Sequence, residues 1–145
     1  MRHSSIDQLS RVASVIPEMP LTRRQRLARW NELLHREPER LLNTLVGTEY
    51  ETRKNRDTMR AANSPFSIAF ADSLLRASGL KDDTYGEAKR FFHLSDYQLH
   101  NIVCACHFGS EVTAAQVARH VRSAERSSII SENVMRAWKW LVGRS

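Results

Sequence analysis

Residues 22–37, TRRQRLARWNELLHRE, decide the fold class of this 145-residue chain. Thr22 followed by Gln25 is a capping box, a pattern in which two side chains satisfy free backbone N–H groups at the start of a helix. The apolar positions that follow recur at the spacing of one helix face: Leu27, Trp30 and Leu34. The stretch therefore predicts an amphipathic helix that needs a partner surface for its apolar face.

Helix-start signals of the same kind recur along the chain. They pair Ser5 with Gln8, Thr84 with Glu87, Ser95 with Gln98, and Thr113 with Gln116. Asp72 before SLLRAS predicts another start, and Pro38 followed by ERLLNTLV predicts a helix that Gly47 ends. Because no segment alternates apolar and polar residues over six positions, we predict an all-α fold, a compact single-domain bundle of about seven or eight short helices.

Chain length and N-terminal composition predict the domain organisation. A mass of 16.7 kDa favours one domain, so we expect an N-terminal amphipathic helix and linker over 1–20 and a single all-helical domain over 21–145. No stretch approaches the roughly 20 apolar residues of a membrane span. Asp7 and Arg11 interrupt the only apolar stretch near the N-terminus, so we expect no secretory signal, no membrane partner and a cytoplasmic location. Two cysteines exclude a disulfide scaffold.

The predicted core consists of apolar residues on the inward helix faces. We expect most of it to come from Leu27, Trp30, Leu34, Leu41, Leu45, Phe66, Phe70, Leu74, Phe91, Leu99, Val103, Val117, Val121, Trp138 and Leu141. One ring of the Phe91–Phe92 pair is expected inside and the other partly exposed. Arg26 and Arg29 lie away from the apolar face of their helix, so both are predicted to be exposed.

A basic face near the C-terminus is the first candidate site. The formal net charge is +6, and arginine supplies most of the 22 basic residues. Arg119, Arg122 and Arg126 fall on one face of a helix predicted over 114–126, and Arg136 and Lys139 add positive charge in the last predicted helix. Such a face is a typical footprint for phosphate, so these five residues are the candidate nucleic-acid-binding set.

The stretch TAAQVARHV, residues 113–121, resembles the first helix of a helix-turn-helix motif. The resemblance implies DNA binding. It covers about ten residues, because Arg122 stands where the motif has glycine. The connection over 123–131 is also longer than the three- or four-residue turn of the motif.

Residues 93–109, HLSDYQLHNIVCACHFG, carry the second candidate site. On a helix, His100, Cys104 and His107 share one stripe with Asp96. Imidazole and thiolate are the donors that Zn²⁺ prefers, so these three residues are the candidate metal ligands. His93 or His120 could complete the set.

The same stripe allows two other kinds of chemistry. Cys104 could act as a nucleophile, with His100 or His107 as base and Asp96 orienting it. The Cys-Ala-Cys-His end is similar to a covalent haem motif but has one residue between its cysteines instead of two. The alternative without a site makes Cys106 a small core residue and the histidines part of a polar helix face.

We favour a non-enzymatic regulatory or protein–protein interaction module that has no cofactor and binds a protein partner or a second copy of itself. The sequence contains no glycine-rich phosphate loop, GxSxG or HExxH motif. The alternatives are a nucleic-acid-binding protein that uses the basic face and a zinc protein that uses the His/Cys stripe.

Overall fold

The computed structural model describes residues 20–103 and 111–127, and over these residues the chain is mostly helical. Its elements are α1 (Arg23–Arg36), β1 (Leu41–Asn43), a 3-10 helix (Thr48–Tyr50), α2 (Arg53–Asp57), α3 (Pro65–Phe70), α4 (Ser73–Ala77), α5 (Tyr85–Phe92), α6 (Asp96–Val103), β2 (Glu111–Thr113) and α7 (Ala114–Arg126). The predicted all-α fold class is confirmed. The helices predicted near the two ends of the chain lie outside the described residues, and the domain boundary predicted at residue 20 stays a prediction.

The helix starts predicted at Thr22, Asp72, Thr84, Ser95 and Thr113 are confirmed. The capping boxes of Thr22, Ser95 and Thr113 form in full. At Thr84 only half of the box forms, because the Thr84 amide donates to the Asp82 carboxylate instead. Local capping therefore sets where α1, α5, α6 and α7 begin.

α1 and α7 form the main helix pair of the fold. α1 buries Leu27, Trp30 and Leu34, as its periodicity predicted. α7 buries a face of small residues that lets the two helices approach closely: Ala114, Val117, Ala118, Val121 and Ala124. α6 packs against α7 as well, which leaves the opposite side of α7 open to solvent.

The helix predicted from Pro38 to Gly47 is wrong. Residues 41–43 form a strand that pairs antiparallel with residues 111–113. Leu42 is buried, whereas Leu41, which was predicted in the core, is 55% exposed. The Pro38 and Arg40 carbonyls accept hydrogen bonds from the first two amides of α7, which have no partner within that helix. These bonds and the strand pairing hold residues 38–43 outside a helix.

α3 was not predicted from the sequence. Pro65 occupies the first helical position, where its missing N–H costs nothing, and the Ser64 and Ser67 side chains cap the helix reciprocally. Phe66 is buried as predicted, but Phe70 and Leu74 are only half-buried.

An aromatic cluster occupies the centre of the core. The Trp30 ring stacks on Phe92 at 4.4 Å between centroids, and Phe92 meets Phe91 edge-on at 4.9 Å. Both phenylalanines are buried, so the expected exposure of one ring is wrong. The Arg26 guanidinium lies 4.3 Å from the Phe91 ring centroid and covers it from the solvent side.

Three arginines of α1 bind groups on other elements, so the predicted exposure of Arg26 and Arg29 is wrong. Arg26 donates to the Phe91 carbonyl at 2.8 Å, and Arg29 binds the buried carboxylate of Asp72 at 2.7 Å. Arg23 donates to carbonyls at the ends of α5 and α7, namely His93, Ala124 and Ser127. Helix C-termini carry free carbonyls and partial negative charge, which cationic side chains stabilise.

No helix among the described residues has both the length and the apolar character needed to cross a membrane.

Candidate nucleic-acid interface

A polar cleft lies between α6 and α7 and encloses about 100 Å³. α6 lines it with Tyr97, Gln98 and Asn101, and α7 lines it with His120, Ser123, Ala124 and Ser127. Leu99, Ile102 and Val103 anchor α6 in the core, so the helix turns its polar side to this cleft. The cleft was not predicted, since it depends on how two helices pack rather than on a local pattern.

Three arginines form a stripe along the outer face of α7. The arginine stripe consists of Arg119, Arg122 and Arg126, all exposed. None of them forms an ion pair or hydrogen bond in the part of the chain that the structure describes. The acidic residue of α7, Glu125, lies towards α1 instead, 3.9 Å from Arg24. The structure thus brings together the three arginines that the helical spacing predicted on one face, while Arg136 and Lys139 lie outside the described residues.

His120 lines the cleft and follows Arg119 of the arginine stripe in the chain. Its side chain is half-buried in the cleft, and burial together with the Arg119 charge lowers its pKa. The imidazole is therefore neutral at pH 7, where one ring nitrogen donates and the other accepts a hydrogen bond. The Arg119 charge therefore acts on a side chain that lines the cleft.

Tyr97 is the exposed aromatic residue of the cleft. It sits on the first turn of α6 and is 75% exposed. Its neighbour Asp96 accepts hydrogen bonds from Tyr85 at 3.1 Å and Lys89 at 3.0 Å. Burial opposes ionisation of Asp96, but these bonds outweigh it and lower its pKa. Asp96 is thus paired with two side chains of α5. This pairing does not favour its predicted role of orienting His100.

The predicted metal ligands fall only partly within the described ranges. His100 lies on α6, with Nδ1 3.9 Å from the Glu49 carboxylate. Cys104 and His107 lie outside the described residues. No group of three or more His, Cys, Asp or Glu side chains that could hold a metal ion occurs over 20–103 and 111–127. Burial and the charges of Arg26, Arg23 and Arg90 lower the pKa of His93, and these three positive charges would repel a metal cation beside it.

A small apolar surface lies on the other side of α6. The Leu45 amide donates to the Val103 carbonyl at 2.9 Å, and Glu49 reaches His100, so residues 45–50 lie along α6. This apolar surface consists of Val46, 67% exposed, and Tyr50, 88% exposed. This surface was not predicted, because Val46 lies in the segment that was expected to be helical.

A second groove of about 220 Å³ lies between α1, α3 and the start of α7. Its arginines already have partners, since Arg40 donates twice to the Asn63 side chain and Arg36 lies 3.8 Å from Glu32. This groove is therefore a weaker candidate for anion binding than the arginine stripe.

Comparisons with protein-family models, curated proteins and solved structures found no match to this chain. Its function therefore rests on the chemistry of the described side chains.

Proposed function

We propose that this chain is a non-enzymatic nucleic-acid-binding protein and that the arginine stripe of α7 contacts the phosphates. The observation that carries the proposal is the contrast between two helices. Arg23, Arg26 and Arg29 of α1 donate hydrogen bonds to other elements of the fold. The three arginines of the stripe, by contrast, bond to no group within residues 20–103 and 111–127.

The spacing of the stripe suits a phosphate backbone. Arg119 and Arg126 are separated by about 10 Å along the helix axis, at 1.5 Å per residue. The stripe has about one guanidinium group per helical turn, so it can pair with up to three phosphates of one strand. The guanidinium fork pairs with phosphate oxygens in a bidentate way. Arg136 and Lys139 belong to the proposed surface as further phosphate contacts.

Binding measured by fluorescence anisotropy, with a labelled oligonucleotide at low salt, tests the proposal. Arg122→Glu should weaken binding at least tenfold, because it replaces an attraction with a repulsion. Arg53→Glu is the matched control, since Arg53 is exposed on α2 and the exchange changes net charge equally. Equal losses for both variants would show that the contact is not at α7.

A protein–protein contact is the second candidate, and the exposed apolar surface of Val46 and Tyr50 favours it. Exposed apolar side chains that lie together often mark contact sites. In a two-fold dimer the same patch of each copy faces the other, so an exposed apolar surface can be covered by a second copy of itself. We therefore propose self-association here. Sedimentation equilibrium should show a dimer that Tyr50→Ser dissociates, and a monomer at all concentrations would contradict it.

A cytoplasmic location is part of the proposal, because nucleic acid is accessible there. Cell fractionation with an antibody against the chain tests it. Recovery in a secreted or membrane fraction would contradict it.

A further inference from the structure

We infer that the nucleic acid is single-stranded and that one unstacked base lies on Tyr97 in the cleft between α6 and α7. This inference rests on the proposed function and names its ligand class. It depends on three features that meet at one place: an exposed aromatic ring, uncommitted polar side chains and the arginine stripe.

Tyr97 offers a surface for stacking. With three quarters of the side chain exposed, its ring contributes little to the core, which α6 reaches through Leu99, Ile102 and Val103. Tyrosine rings in single-strand-binding proteins stack against bases of any sequence, because every base has a π-face. An exposed ring at the mouth of a polar cleft is suited to that contact.

The cleft also offers hydrogen-bonding groups for the edge of a base. The side-chain amide of Asn101 and the hydroxyl of Ser123 form no hydrogen bond within residues 20–103 and 111–127. Gln98 uses its carbonyl oxygen for the Ser95 amide, which leaves its NH₂ group available. His120 adds a donor and an acceptor. Donors and acceptors on both walls can thus meet an unpaired base.

The stripe and the cleft are adjacent on α7. At 100° per residue, Ser123 lies between the cleft residues His120 and Ser127 on one side and the stripe residues Arg119 and Arg126 on the other. A strand whose phosphates follow the stripe therefore carries its bases towards the cleft. In a duplex the bases are paired and stacked inside, so only a single strand or loop can place one on Tyr97.

The test compares three ligands of equal length by anisotropy: a single-stranded oligonucleotide, the same backbone without bases, and a duplex. We expect the intact single strand to bind most tightly. Tyr97→Leu should weaken that binding roughly five- to hundredfold, the range for loss of one stacked base. Tyr97→Phe should retain it, because the ring remains. Leu41→Ala is the control, because Leu41 is 55% exposed on β1 and does not line the cleft.

The outcomes separate this inference from the proposed function. Base stacking is overturned if the strand without bases binds as well as the intact strand and Tyr97→Leu does not change the affinity. If Arg122→Glu still weakens binding in that case, the proposed phosphate binding stands. A preference for duplex also overturns the inference. If no ligand shows salt-dependent binding, both the inference and the proposed function fail.

Discussion

Arg29 donates two hydrogen bonds to the carboxylate of Asp72, at 2.7 and 3.1 Å, and thereby joins α1 to the start of α4. Asp72 is buried and also accepts the Leu75 amide as the N-cap of α4. One carboxylate thus fixes a helix end and a contact between two helices. The arginines of α1 are structural in this sense, whereas those of the arginine stripe have no ion-pair or hydrogen-bond partner among the described residues.

Loss of this pair should destabilise the fold. Arg29→Met keeps the apolar stem but leaves the Asp72 carboxylate buried without its cation. We expect the free energy of unfolding to fall by about 2 kcal/mol, the typical cost of an unsatisfied buried charged group. Urea denaturation measures it, with Arg53→Met as the control at an exposed position. Equal stability of the two variants would contradict the structural role of Arg29.

Acid should reveal the same contact. Burial opposes ionisation of Asp72, but hydrogen bonds from Arg29 and the Leu75 amide outweigh it and lower the pKa of Asp72. A folded-state pKa below that of the unfolded chain, about 3.9, stabilises the fold fully above that value. The stabilisation is lost as the pH falls below 3.9 and through the folded-state pKa.

Asp72→Asn should therefore reduce the pH dependence of stability at acidic pH. Urea midpoints between pH 7 and pH 3 measure this effect, with Glu39→Gln as the control for an exposed carboxylate. The same acid dependence in Asp72→Asn and in the parent chain would count against the contact.

The two leucines of β1 distinguish the strand from the helix that the sequence predicted. Leu42→Ala should cost about 2–5 kcal/mol, as for other buried leucines, because it leaves a cavity in the core. Leu41→Ala should cost within about 0.5 kcal/mol, because Leu41 is mostly exposed. Thermal or urea unfolding of the pair measures both. A larger loss for Leu41→Ala would contradict the strand register.

Zinc content is a separate prediction. If His100, Cys104 and His107 bind zinc, protein purified without chelator or nickel should contain about one zinc per chain. Only His100 of these three candidate ligands lies among the described residues. Mass spectrometry of the metal content measures this. One zinc per chain that His100→Ala, Cys104→Ser or His107→Ala removes would establish the alternative site.

Local signals in the sequence predicted α1, α4, α5, α6 and α7 and one face of the site. Capping boxes at Thr22, Ser95 and Thr113 and apolar periodicity depend on neighbours three or four residues away, so the sequence alone displays them. The arginine stripe has the same origin. Such signals failed at residues 38–47, where the determining partners are the α7 amides more than 70 positions further along the chain.

Long-range partners also explain what was missed. Arg26 binds the Phe91 carbonyl and Arg29 binds Asp72, contacts 65 and 43 residues apart in the chain. Helical spacing placed both arginines off the apolar face but could not show the groups that they meet. The cleft of Tyr97 and His120 likewise depends on the packing of α6 against α7.

Salt dependence of oligonucleotide binding tests the central claim most directly. The three phosphate contacts of the arginine stripe to a single strand predict that log K falls with log salt at a slope of about −2 or steeper, from about −0.7 per contact. Arg122→Gln should reduce the steepness by about 0.7, because one contact is lost. Arg53→Gln should leave the slope unchanged. A slope near zero, or the same slope in Arg122→Gln as in the parent chain, would contradict nucleic-acid binding by the arginine stripe.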